Sequence, residues 1–589
     1  MKKFGTRLIS AVLAGCMMTS VLPVSAFALE GSAEFEGNVS AQENSDAPAE
    51  PSGEVAAACP LTGGETINKK FIEEHGGSKV YSISGTYTEG IVIDAEDEDV
   101  VINVTGETTF EKSGNKDDCA NFITVRNAKS VTVNAEGQTI KTAEGLAFNR
   151  CFYAENSFTG TAVLNGGIYN WPCDDIAACY LCGGDWTFNN LTMNAVLRAI
   201  ETDRANVTVN GGSYDCSYST SATFWIQNSP NSSFNYVTAS GEGWVLNAID
   251  NSVVDGVGGS YSRNPDAQTY KDRPTLRVAN NATLNVRDAD VTGTYCDVFV
   301  TNATANLFGG TYTNTNQYSG CKSPALKVWN GGTLNVNGAT VECKGGNAAI
   351  SSGEPAGSKH CYDQYDNGGK LVVENCTIKN SKYGIYLGPD SSTSAELKSA
   401  TFENNESDIY LESDKEITIS DTFTTPATIK VADPKEGRQL TVAGNANKLN
   451  LVGQNDYRVA YDKAQHYYYL TNLEPGYTLT PEGATATIKN GDDVIELTPN
   501  DEIAKGTPVT LTAHDGDGLE FAGWTVTVNG VVQSDPHDSL PNWKENQTTA
   551  TFDMPAGDVT VRAEYNIVDP VEPPVDPVAP VEPCIYAQH

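Results

Sequence analysis

From about residue 80 the chain alternates apolar and polar positions in short runs, broken by Asn, Gly and Thr. That period of two predicts strands, and almost no stretch carries the 3.6-residue period of a helix. The runs resemble one another. Thr161–Asn170, Asn206–Asp215, Ser252–Ser262, Ala303–Thr313 and Gly332–Glu342 share one form: an alternating strand, a corner containing Gly or Asn, then a second strand that opens with an inward residue. Taking Tyr169, Met193, Tyr214, Val237, Tyr261, Val291, Tyr312, Val341, Ile378 and Phe402 as that inward residue gives spacings of 24, 21, 23, 24, 30, 21, 29, 37 and 24. A base period of 21 to 24 with loop insertions fits one turn of a three-sided coil, whereas a propeller blade needs about twice that length.

A further strand precedes each marker, at Phe122–Ala128, Phe152–Ser157, Ala199–Arg204, Phe224–Ser229, Leu276–Asn281, Val298–Ala303 and Leu326–Gly331. Most of these segments run into Asn or Asp, residues that tolerate left-handed backbone at a corner and can stack on copies above and below. Leucine-rich repeats share the period but need Leu at fixed positions and a helical segment, and neither is present. The pattern resembles the pectate-lyase-like superfamily of right-handed parallel β-helices, a likeness of fold texture that brings no catalytic signature with it. The expectation is an all-β chain with a parallel β-helix over 59–425 and terminal rungs with a cap over 426–473.

Composition then divides the remainder. Lys2, Lys3 and Arg7 precede an apolar run from Leu8 to Leu22, and Ala26-Phe27-Ala28 offers a small-x-small cleavage site. Residues 1–28 thus read as an export signal. The competing reading is the lipobox Leu13-Ala14-Gly15-Cys16, which would put a lipid on Cys16. Residues 29–58 carry seven acidic residues and no Lys or Arg, the composition of a spacer that cannot bury a core. No other stretch is apolar for the roughly 18 residues of a membrane span.

Residues 474–566 hold Gly518-Leu-Glu-Phe-Ala-Gly-Trp524 and, later, Phe552-Asp-Met554-Pro555. Their joint order resembles the small β-rich modules of Gram-positive surface proteins related to internalin B-repeats. The resemblance implies a spacer or adhesive unit and no catalytic residue. The tail, 567–589, alternates Pro with Val and acidic residues, an extended linker that in such proteins precedes a wall anchor. No Leu-Pro-x-Thr-Gly motif occurs in the 589 residues.

The formal net charge of −37 becomes about −40 once the three basic residues of the signal are removed. So acidic a chain disfavours nucleic acid and anionic membrane as partners. Carboxylates at turns make calcium the one cofactor to consider. Thirteen cysteines outside the signal allow disulfides, a buried sulfur stack, or zinc at Cys173, Cys179 and Cys182 with Cys151 and Cys216 nearby. Six scattered histidines argue against a histidine-based triad or metal site.

Stacking makes distant residues neighbours on the face built from the second set of strands. Glu155, Glu201, Asp203, Arg204, Asp250 and Arg277 fall at or near equivalent levels there. A lyase needs carboxylates and an Arg or Lys base, and a hydrolase needs two or three acids, so Glu201, Asp203, Arg204, Asp250 and Arg277 are the catalytic candidates. With 75 acidic residues, chance alignment competes with that reading. Tyr153, Tyr180, Trp225, Trp244 and Trp329 lie in or beside the same strands. Facing outward they would form a platform for sugar rings, and facing inward they would fill the core. Two functions follow: a secreted or cell-wall-associated adhesin that binds an extracellular glycan or host surface glycoprotein, or a polysaccharide lyase or glycoside hydrolase.

Overall fold

The computed structural model describes residues 58–567 apart from 219, 264–272, 316–322, 354–366, 391, 442–448, 463–466, 473–475, 491–492, 499–500, 515 and 517. The export signal, the acidic spacer and the Pro-rich tail lie outside these residues, but for residues 58 and 567.

The alternating segments pair with one another in parallel and in register, which builds a β-helix with three faces. The first face stacks strands such as Ser130–Asn134, Thr161–Asn165, Asp185–Asn189 and Asn206–Asn210, and the second stacks Thr139–Thr142, Ile168–Trp171, Thr192–Ala195 and Ser213–Cys216. These two faces form one 26-stranded sheet, and the third face is a separate sheet of 16 strands running from Thr66–Ile67 to Leu449–Leu451. Each face turns alternate residues inward, so Ala162, Leu164, Tyr169 and Phe152 of one turn sit at 0–1% exposure. Together they form one continuous core. A short helix, Lys69–Glu74, lies beside the first turn and buries Ile72.

The register corrects one of the ten inward markers. Tyr214 stacks on Ala239, not Val237, and Ala239 stacks on Tyr261. In that turn Tyr236 and Val237 occupy the corner that Gly211-Gly212 and Gly258-Gly259 form in its neighbours, so an apolar residue appears two positions early. Phe402 holds its place above Ile378 but is only partly buried, beside the closing turns.

Two repeated polar devices join the turns. Where the first face ends, Asn103, Asn134, Asn165, Asn189, Asn210 and Asn235 stack, each side-chain amide donating to the one before it at 2.9 Å. The corner that follows takes positive φ once, at Asn190, Tyr236, Asp288 or Gly338, or twice, where Gly166-Gly167, Gly211-Gly212, Gly258-Gly259 and Gly309-Gly310 supply it. At the end of the third face the left-handed residue is Arg204, Asn228, Asp250, Asn280, Asn302 or Asn330, as the corner-Asn pattern implies. There too side chains bond across turns: Asn228 donates to Asp203 at 3.0 Å and Asn280 to Asp250 at 2.8 Å.

The C-terminal module is built differently. Two five-stranded sheets, one centred on Val559–Ile567 and the other on Pro508–Ala513, enclose their own core of Leu479, Leu511, Val526, Trp543, Phe552 and Met554. Phe552 and Met554 of the Phe-x-Met-Pro element are buried at its centre, and Trp524 packs partly buried against Phe521.

One interior group is costly. Asp297 of the third face is fully buried, with no cation or side-chain donor on its carboxyl oxygens among the described residues. Burial pushes it well above the usual carboxylate range, opposed only by the Gly293 backbone N–H. A raised folded-state pKa stabilises the fold fully below the unfolded value near pH 4, and that contribution is lost as pH rises towards the folded value. Asp297→Asn is therefore expected to raise the melting temperature at pH 7 and to flatten its decline between pH 4 and 7 relative to wild type. Parallel pH profiles of the two proteins would refute this.

The corners carry a second test. A Cβ on Gly212 would lie 2.3 Å from the Leu191 carbonyl oxygen, whereas one on Gly331, also at positive φ, meets nothing within 4 Å. Gly331→Ala should cost about 1–2 kcal/mol from backbone conformation alone. Gly212→Ala should cost at least about 2 kcal/mol more, in the range of severe steric disruption. Urea midpoints measure both, and equal shifts would show that close packing at the corner is not limiting.

Candidate functional site

The third face presents an outward column. Its strand register places Thr124, Tyr153, Tyr180, Glu201, Trp225, Asn247, Arg277, Phe299, Lys327, Ser351, Tyr386, Tyr410 and Lys430 one above another. The residue before each, such as Phe152, Cys179, Ile200, Phe224 or Leu246, belongs to the core. In Arg198–Asp203 two consecutive residues, Ala199 and Ile200, are buried in the core. Arg198 and Glu201 consequently emerge on the same side, and Arg198 Nη1 contacts Glu201 Oε2 at 2.6 Å.

Aromatic rings and cations interleave along this face. The rings of Tyr153 and Tyr180 stack at 6.1 Å and 14°, with the Arg150 guanidinium 5.1 and 4.9 Å from their centroids. Arg198 lies 4.4 Å over Trp225, which meets Trp244 edge-on at 6.1 Å, and Arg273 lies 4.2 Å over Trp244. Higher up, Lys327 stands 4.1 Å over Trp329, whose ring meets Phe299 at 5.3 Å. Three tyrosines follow: Tyr383 stacks on Tyr410 at 4.3 Å, and Tyr386 lies 5.6 Å from Tyr410 and donates its hydroxyl to Glu412 at 2.8 Å. Such contacts are worth about 0.5–1 kcal/mol when exposed and more when desolvated.

Exposure varies along the column. Tyr153, Tyr180 and Trp225 are partly exposed, whereas Asn247, Phe299, Lys327 and Ser351 are at most 6% exposed. Of the proposed platform residues, Trp244 is 6% exposed, and Trp329 is wholly buried in a cluster with Tyr295, Cys296 and Phe299 that is separate from the main core. These two rings are thus outside the helix interior without being accessible. Burial raises the phenols of Tyr153 and Tyr180 and pushes that of Tyr410 up to about 12.

The five catalytic candidates do not come together. Glu201 is paired with Arg198. Asp203 accepts from Asn228 and pairs with Arg204 at 3.1 Å, and Arg204 also donates to Asn156. Asp250 sits at a corner and accepts from Asn280. Arg277 donates to Asn247 at 2.9 Å. Glu201 and Arg277 are three turns apart in the column, about 14 Å at the usual strand spacing. Glu155 is held by Arg126 at 2.8 Å. Among the described residues no group of three or more His, Cys, Asp or Glu could hold a metal.

Of the described cysteines, Cys59, Cys119, Cys151, Cys173, Cys179, Cys182, Cys216 and Cys376 are free thiols, and all of these but Cys59 and Cys119 are buried, as the buried-sulfur reading expects. Desolvation pushes Cys173 up to about 11 and Cys216 up to about 12. Because the thiolate is the reactive form, iodoacetamide at neutral pH should label Cys59 and Cys119 well before Cys151 and Cys179 in the native protein. Mass spectrometry of a labelling time course reads the order, and early labelling of Cys151 would contradict the buried assignment.

Sequence reasoning missed Arg150, Arg198, Phe299, Lys327, Tyr386 and Tyr410. Arg150 and Arg198 precede the apolar runs that marked the strands. The remainder become visible once every third-face strand is aligned on its core residue and the next position is read upward.

Among known families, residues 484–569 match the family model described as the Divergent InlB B-repeat domain. No curated protein matches the chain.

Proposed function

We propose that this is an extracellular or cell-surface binding protein, an adhesin that takes up an extracellular glycan or host glycoprotein on the third face of its β-helix. The observation that carries the reading is the outward column in which partly exposed Tyr153, Tyr180 and Trp225 stand on successive or near-successive turns. Strands about 4.8 Å apart put such rings at intervals along a straight row, and the apolar faces of sugar rings pack on aromatic surfaces of this kind. The B-repeat match at 484–569 fits a surface setting, and no helix among the described residues is long and apolar enough to cross a membrane. The binding reading is preferred to the lyase or hydrolase because the acidic candidates are each engaged by a neighbour and do not converge on one point.

The test is incubation of the full chain with pectins, mucins and host glycans. Retention without cleavage is expected, and Tyr180→Ala and Trp225→Ala should each weaken it about tenfold, given about 0.5–1.5 kcal/mol per aromatic contact beyond burial. Release of unsaturated or reducing ends, or undiminished binding by both variants, would overturn the proposal.

A further inference from the structure

Arg150 stands without a carboxylate among the described residues, in a chain with 75 acidic and 38 basic residues. The acids around the Tyr153–Tyr180 pair are already taken: Glu155 by Arg126, Glu201 by Arg198, and Asp203 by Arg204 and Asn228. Arg150 forms no ion pair among the described residues, and its Nε is buried without a hydrogen-bond partner. Its guanidinium lies instead against the two tyrosine rings. Stacking occupies the faces of a guanidinium and leaves its N–H donors, which lie in the plane, available to a planar or trigonal acceptor.

A recess adjoins it. Register sets Asn121 beside Arg150 and Thr124 beside Tyr153. Asn121 and Thr124 line a cleft of about 330 Å³, at the small end of ligand sites. Asn121 Oδ1 is buried without a partner and can accept from a hydroxyl. The charges in the cleft disfavour an anion there: Glu89 is engaged by Lys112 at 2.6 Å, and Asp118 also lines the wall. The cleft suits neutral hydroxyls, and Arg150 suits a negative group.

We infer that Arg150, Tyr153 and Tyr180, with the cleft lined by Asn121 and Thr124, form a subsite for a sugar bearing an anionic substituent, a carboxylate or a sulfate. The sugar ring packs on the tyrosine pair, its anion accepts from Arg150, and its neighbour's hydroxyls enter the cleft. This rests on the glycan-binding reading of the third face and names the class of ligand that the face selects.

The experiment is a glycan array probed with the full chain, carrying each backbone in matched neutral, carboxylated and sulfated forms. At least one backbone should bind about tenfold or more tightly in an anionic form, as a charge-assisted contact provides. The carboxylated and sulfated arms identify which group is taken. Arg150→Gln should bring that form down to the level of the neutral form measured on the same variant, Arg150→Lys should retain part of the preference, and both should melt with wild type. Equal binding of neutral and anionic forms, or a preference untouched in Arg150→Gln, overturns the subsite while glycan binding stands. Failure of every glycan to bind overturns both readings.

Discussion

Parallel strands stacked in register, about 4.8 Å apart, place each residue of one turn directly on its counterpart in the next. The rest of the molecule follows from that constraint. A residue type acceptable at one position of one turn must be acceptable next to itself. Inside, this selects apolar side chains that fill a continuous core. At the end of the first face it selects Asn, whose amide can donate to and accept from its own copies. At the corners it selects residues that tolerate positive φ, and where a left-handed residue lies close to the neighbouring turn, as at Gly212, a methyl group would meet the backbone of that turn. The tyrosines that open the second face show a cost of the arrangement: the hydroxyls of Tyr169, Tyr214 and Tyr312 are buried without a partner, against the large area that each ring buries.

On the outside the same constraint turns a sequence position into a column. A chain so acidic would pack carboxylate on carboxylate if its charges fell there. The outward column of the third face instead contains one carboxylate, Glu201, among aromatic, amide, hydroxyl and cationic groups. Cations settle over ring faces where the electrostatic potential is favourable, and the one carboxylate meets Arg198. The column is thereby set apart from the acidic remainder in both shape and sign, the physical ground for reading this face as the side that meets a ligand.

The C-terminal sandwich obeys a different rule. Its two sheets bury Trp543, Phe552 and Met554 between them and have no repeat to satisfy, so its identity rests on a few large residues in fixed order. That is why a short motif sufficed to recognise it, and why the match to the B-repeat family covers this module.

The period of 21 to 24 residues, the Gly-Gly and Asn corners and the alternation of apolar positions already specify a parallel β-helix, because each expresses a local requirement of one turn. Local pattern could not place Ala239 over Tyr214, since Val237 at the corner two positions earlier is apolar and buried as well. Nor could it say which acids would meet. Glu201, Asp203, Asp250 and Arg277 share a face in the sequence pattern, but the partner of each is set by neighbours one turn away, through insertions of varied length that only the folded register resolves. Whether Trp244 and Trp329 are accessible was likewise decided by what packs over them. The sequence by itself determined the coil and its outward column. The tertiary structure decided which members of that column are exposed and that Arg150 beside it meets the tyrosine rings and not a carboxylate among the described residues. Period is a property of the chain, whereas exposure and pairing are properties of the stack.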